Sequence, residues 1–193
     1  KTAVWLHNVH ALWGDSKTGE EKQLNQLSSG IERLKQISIF KNIKDYDQAL
    51  QDLFSVMSVV RYPASAHIIN EGEQGSDMYI LNKGRIRIEK KTLQNEPYTV
   101  VVLRDDMNIF FGEQALMDSD QRSATVVAET ECECFVIKKS DFELFGNKNP
   151  LIGLNITREI AKIISQRLRK ANSDIIKIEE HTSELQSRQY LVC

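Results

Sequence analysis

At 193 residues the chain is long enough for one packed domain with accessory helices, and 41% apolar with 27% charged residues argues against disorder and against a fibrous repeat. A formal net charge of -2 gives no electrostatic reason to expect nucleic acid or an anionic membrane as the main partner. Three cysteines without framework spacing point to a reducing compartment, and no run approaches the roughly 20 apolar residues of a spanning helix, so a cytoplasmic location is expected.

The chain opens at Lys1 rather than Met, without the basic-apolar-small pattern of a leader, and reads as a piece of a longer protein. Trp5, Leu6, Val9, Leu12 and Trp13 recur at helical spacing, and Leu24, Leu27, Ile31, Leu34 and Ile37 do so again after the polar stretch GDSKTGEEK. His7 and His10 share a face of the first stripe, where solvated or packing histidines are commoner than ligands. Leu50, Leu53, Phe54, Met57 and Val60 form a third helical stripe. From Pro63 onward the period shortens. The runs HII, MYIL, RIRIEK, YTVVVL, ATVVA and CECFVIK are separated by polar turns at the spacing of an antiparallel all-β unit.

Strict alternation in GRIRIEK turns Ile86 and Ile88 inward and leaves Arg85 and Arg87 on a solvated face. Cys132 and Cys134, two apart on one strand face, are poorly placed for a disulfide and read as packing residues rather than metal ligands. After Ile137 the helical period returns. Ser140 and Glu143 have the spacing of a capping box, and Pro150 suits the first turn of a long final helix. The expected fold is α+β: an antiparallel, jelly-roll-like β-roll of about eight strands between N-terminal and C-terminal helices. The expected division is a helical segment over 1–36, the roll domain over 37–170 and a C-terminal helix over 171–193.

Within the roll, FGEQALM lacks strand alternation and predicts a helical turn or two breaking into the sheet. A helix start presents free amides and partial positive charge, and Gly112 lets the backbone approach an anion closely. Arg122 adds a guanidinium fork suited to a phosphate. Glu113 beside that anion site would repel a phosphate but accept hydrogen bonds from a sugar hydroxyl. An anion site next to a hydroxyl acceptor describes a ribose phosphate. One arginine and no metal ligands imply about one negative charge, which a cyclic phosphate carries.

The segment FGEQALMDSDQRSATV resembles the phosphate-binding cassette of the cyclic nucleotide-binding domains found in kinase regulatory subunits, gated channels and the bacterial catabolite activator. The upstream IINEGEQGSDMYILNKGRIRI is similar to the strand-turn-strand segment of that family, with Gly72, Gly75, Asp77, Tyr79 and Gly84 in step. The resemblance runs from about Ile37 to Leu168 and implies the following roles. Phe111 and Gly112 open the cassette. Arg122 carries the cyclic phosphate, helped by Ser123 and the amides of Gln114, Ala115 and Ala124. Glu113 holds the ribose 2′-hydroxyl, and Ile88 and Leu103 line the base. Three departures stand out: the loop MDSDQR has no proline before the arginine, Gln114 replaces an aliphatic residue, and RDDMNIF lacks the glycine usual before the cassette.

The expectation is a non-catalytic cyclic-nucleotide sensor that prefers cyclic AMP to cyclic GMP, because Leu103 and Ser123 stand where guanine-selective members of the family often carry a basic residue and threonine. Alternatives are a ligand-free oligomerising β-roll scaffold, or the sensor half of a transcription regulator whose DNA-binding part is missing. A cupin-like enzyme would need clustered histidine and carboxylate ligands, and only His67 falls in the roll. In the last helix Ala161, Leu168, Ile175, Thr182 and Gln189 recur every seven residues, interleaved with Ile164, Ala171, Ile178, Leu185 and Val192. Arg167, Asp174, Glu179 and Arg188 flank this seam, which predicts a homodimer through a coil from about Ala171 to Val192, with the part up to Leu168 packed on the roll as a lid. The effector that such a dimer would control is not specified by the sequence.

Overall fold

The computed structural model describes residues 24–118 and 121–190, the last stretch from 178 as backbone. The helix expected over Trp5–Trp13, with His7 and His10, lies outside the described residues, as do the side chains of Ile178, Leu185 and the rest of the distal seam. Helix α1 (residues 24–36) leads through a 3-10 turn at Ser38–Phe40 to α2 (Asp47–Ser55). Eight strands follow: β1 (Ser58–Tyr62), β2 (His67–Ile69), β3 (Asp77–Lys83), β4 (Arg85–Lys91), β5 (Pro97–Arg104), β6 (Phe110–Phe111), β7 (Thr125–Ala128) and β8 (Cys132–Lys138). Helices α3 (Lys139–Lys148) and α4 (Pro150–Tyr190) close the chain.

The strands form two antiparallel four-stranded sheets, ordered β1-β8-β3-β6 and β2-β7-β4-β5. The first sheet is covered on both faces. Met78 and Ile80 of β3, with Phe135 and Ile137 of β8, join the helical core. Tyr79 and Leu81, with Cys132, Cys134 and Val136, fill the inside of the roll. Double coverage is why MYIL is an unbroken apolar run. In the second sheet one face stays wet: Ile86 is buried, while Arg85 and Arg87 pair on the surface with Glu129 and Glu89. Cys132 and Cys134 are buried free thiols, and burial pushes both up, Cys134 to about 12.

Two boundaries differ from the sequence expectation. Helix α2 stops at Ser55, so Met57 lies in a turn and Val60 on β1, five residues of which precede Pro63. Val59 and Val60 pair with Phe135 and Cys134 of β8, and this pairing of β-branched residues overrides the helical spacing of Val60. Helix α3 begins at Lys139 with no side-chain cap, ahead of Ser140. Its start is fixed from outside, by the Lys139 amide donating to the Ser76 carbonyl at 2.8 Å. Pro150 does open α4, where its missing N–H costs nothing.

The helices pack on the outer face of the first sheet through Ile31 and Leu34 of α1, Leu50 and Leu53 of α2, Phe142 and Phe145 of α3, and Ile156 and Ile160 of α4. Two polar clamps tie this layer down. Arg33 of α1 donates to Asn108 Oδ1 at 2.7 Å and to the carbonyls of Leu81 and Asp105 at 2.6 and 2.5 Å. Buried Glu159 of α4 accepts from Asn42 Nδ2 at 2.9 Å and pairs with Lys162 Nζ and Lys41 Nζ at 2.5 and 2.9 Å.

Hydrogen bonds from Lys162 and Lys41 outweigh burial and hold the Glu159 carboxyl at about 2, against an ordinary 4.5. A carboxyl depressed in the folded state adds stability above its unfolded value and loses it as pH falls toward its folded value. Wild type should therefore melt higher than Glu159→Gln above about pH 4.5, and the gap should close as pH approaches 2. A gap that widened on acidification would contradict the clamp.

Candidate binding site

Strand β6 pairs Phe110 and Phe111 with Ile80 and Tyr79 of β3 and delivers the chain to Gly112. Gly112 adopts the left-handed conformation, φ 72 and ψ 16, which an L side chain resists. The four residues Glu113–Leu116 then form a 3-10 turn, the helical interruption expected of FGEQALM. The Ala115 amide donates to the Gly112 carbonyl at a long 3.2 Å, so an incoming anion would compete only with a weak bond for it.

Arg122 stands ten positions on, and its main chain is stitched to the β2–β3 turn. Its amide donates to the Glu73 carbonyl at 2.9 Å, and its carbonyl accepts from the Gly72 amide at 2.9 Å. The guanidinium lies over the Tyr79 ring, 5.9 Å from the centroid, and Nη1 donates to the Gly112 carbonyl at 3.3 Å. The proline-less loop passes through Ser119 and Asp120, outside the described residues.

These pieces border one cavity of about 750 Å³. All ten expected site residues line it: Ile88 from β4, Leu103 from β5, Phe111, Gly112, Glu113, Gln114 and Ala115 from the cassette turn, and Arg122, Ser123 and Ala124 ahead of β7. Charged and polar groups come from the cassette, while β4 and β5 supply apolar wall with Val100 and Val101 beside Ile88 and Leu103. Val100 is the extra residue of a bulge, since Ile88 pairs with Val101 and Glu89 with Thr99.

The sequence left Arg167 on the edge of a coil seam, and the structure turns it toward the cavity instead. Ile164 and Arg167 of α4 both line the pocket. Glu113, only 3% exposed, is ion-paired through Oε1 with Arg167 Nη1, so the carboxylate expected to face a sugar is engaged by the final helix. The i, i+3 spacing of Ile164 and Arg167 puts both on one helix face, the one signal in the sequence that could have linked them to a single surface. The glycine missing from RDDMNIF is replaced by Asn108, which takes the left-handed conformation itself, φ 53 and ψ 49, with its side chain held by Arg33.

Among the described residues no group of histidine, cysteine or carboxylate side chains could hold a metal ion. His67 is exposed, its Nδ1 2.7 Å from Asn70 Oδ1. Among the same residues no helix is long and apolar enough to cross a membrane.

Residues 59–149, the span that contains the cassette and the β2–β3 turn, match the family model of the cyclic nucleotide-binding domain. Human cGMP-dependent protein kinase 2 is 32% identical over 111 residues, covering 56% of this chain and 14% of the kinase. The cAMP-dependent protein kinase regulatory subunit of Aspergillus fumigatus is 30% identical over 110 residues, covering 57% of this chain and 25% of that subunit. The Thermus thermophilus catabolite activator protein shares the fold with a TM-score of 0.63 and 23% identity, over 74% of this chain and 63% of that one. The chain thus corresponds to a minor part of each kinase relative and carries a regulatory domain of this family.

Proposed function

We propose that this chain is a cyclic-nucleotide sensor that takes cyclic AMP in the 750 Å³ cavity and passes the event to an effector through α4. The observation that carries this is the convergence of ten residues from separate stretches on one cavity, with an arginine and a buried carboxylate on one side and an apolar wall on the other. Arg122 takes the cyclic phosphate with Ser123 and the amides of Gln114, Ala115 and Ala124. Ile88 and Leu103 cover the base. Glu113 receives the ribose 2′-hydroxyl.

Because Glu113 is engaged by Arg167, the ribose and α4 compete for one carboxylate. Ligand can shift a helix only through such a difference in interaction between two states. The Glu159 clamp, eight positions back on the same helix, touches neither cavity nor ligand and stays closed. Movement is then confined to α4 beyond that clamp. Thermal melting tests the function: cyclic AMP should raise the midpoint, since it binds only the folded chain. Cyclic GMP should do so no better, because Leu103 offers guanine no donor. An equal midpoint with and without either nucleotide would remove the reading.

The domain division over 37–170 and 171–193 places the switch within the roll and the output on the distal helix. Leu168, expected to pack on the roll, is instead more than half exposed, as is Ile175 seven positions on, and unpartnered apolar stripes mark interaction sites. We take the occupant to be α4 of a second copy. Light scattering should give a dimer that Leu168→Asp with Ile175→Asp converts to a monomer. A wild-type monomer at high concentration would assign the stripe to the effector.

A further inference from the structure

The turn joining β2 to β3 contributes nothing to the cavity wall, yet it governs the side chain that matters most there. We propose that Gly75 and Tyr79 are positioning residues for Arg122, holding its guanidinium in a slot and so setting affinity for the nucleotide phosphate; this rests on the function proposed above. Neither residue lines the cavity. Gly75 is not among the residues with positive φ, so its φ does not call for glycine. Space is what it lacks. A Cβ at Gly75 would lie 2.4 Å from Arg122 Nε, 2.7 Å from Nη2 and 2.8 Å from Cζ.

Gly112 forms the opposite wall, where a Cβ would meet Arg122 Nη1 at 2.8 Å. The Tyr79 ring is the floor, 5.9 Å from Arg122 Cζ, and it is itself fixed by parallel stacking on Phe111 at 5.1 Å. The slot confines a long, rotamer-rich side chain before ligand arrives, which lowers the ordering cost of binding. Alanine at Gly75 meets the far end of a flexible side chain, so the arginine yields rather than the fold, and it yields by leaving the slot.

Gly72 in the same turn is the natural control, because its situation is reversed. Its φ is +83 and nothing lies within 4 Å of the place a Cβ would take, so alanine there strains the backbone, whose amide holds the Arg122 carbonyl, but puts no atom against the guanidinium.

The test uses the whole 193-residue chain, with thermal midpoint, calorimetric affinity for cyclic AMP, and the Arg122 Nε–Hε NMR resonance of the free protein. Gly75→Ala should keep its midpoint within about 2 °C, bind cyclic AMP at least about tenfold more weakly, and move the Nε–Hε resonance away from its ring-shifted position. Gly72→Ala should melt a few degrees lower and keep the wild-type resonance. Tyr79→Phe, which keeps the ring, should bind as wild type, and Tyr79→Leu should lose both affinity and ring shift. Wild-type affinity in Gly75→Ala or in Tyr79→Leu, or an unmoved resonance in Gly75→Ala, overturns the proposal. A wild type that binds no nucleotide overturns the functional reading, while a resonance moved by Gly75→Ala alone still supports the slot.

Discussion

Arg122→Leu is expected to cost cyclic AMP binding about 2–5 kcal/mol, a loss of roughly thirtyfold or more, while the free chain stays folded. The asymmetry follows from what the guanidinium does in each state. In the free protein its polar contact to the Gly112 carbonyl is long, 3.3 Å, and it also lies over the face of Tyr79, so little folding energy rests on it. In the complex it would supply the one full positive charge from the cassette to a phosphate withdrawn from water. Calorimetry with a parallel melting curve separates the two. A folded variant with wild-type affinity would mean that the phosphate sits elsewhere.

Arg33→Ala should produce the largest loss of stability, about 2–4 kcal/mol, or on the order of 10 °C in midpoint for a domain of this size. The side chain joins α1 to the far side of the roll by donating to the Leu81 and Asp105 carbonyls and to Asn108. Truncation leaves these acceptors without their charged donor and opens a gap between helix and sheet. Part of the cost is offset because Arg33 Nε is itself buried without a partner and burial pulls the guanidinium below its usual value. Asn108 also loses the contact that steadies its left-handed backbone, directly before Ile109 of the cavity wall. Differential scanning calorimetry checks this, and a change under about 2 °C would show that apolar packing of Ile31 and Leu34 alone holds α1.

The cassette was legible because its chemistry is contiguous: a glycine, a carboxylate and an arginine lie within 122 minus 112, or ten, positions and need no tertiary information to be read together. Ile88 and Leu103 were reachable through alternation and resemblance, and both line the cavity from the neighbouring strands β4 and β5. What the sequence hid are the groups that act on the cassette from a distance. Arg167 is one of several arginines along an amphipathic helix, and only the packing of α4 brings it to Glu113. Gly75 looks like turn punctuation, while its constraint is the space Arg122 occupies. Asn108 is an unremarked polar residue until its φ of 53 shows it standing in for a glycine. The β1 boundary was missed for a related reason, because Met57 and Val60 fit a helical stripe until β8 supplies a strand for Val60 to pair with.

Function and stability meet in α4. Its base is fixed by Glu159 to Lys41 and Asn42, and its middle is held over the cavity by Arg167. On the proposed reading the first contact is indifferent to ligand and the second would share its acceptor with the ribose, which is the differential a sensor requires. Calorimetric titration of cyclic AMP into the 193-residue chain tests that claim most directly. A saturable isotherm with one site per chain, lost in Arg122→Leu, is the predicted result. No heat and no change in midpoint with millimolar cyclic AMP or cyclic GMP, in a chain that melts cooperatively, would contradict it and leave a β-roll that serves as a ligand-free scaffold.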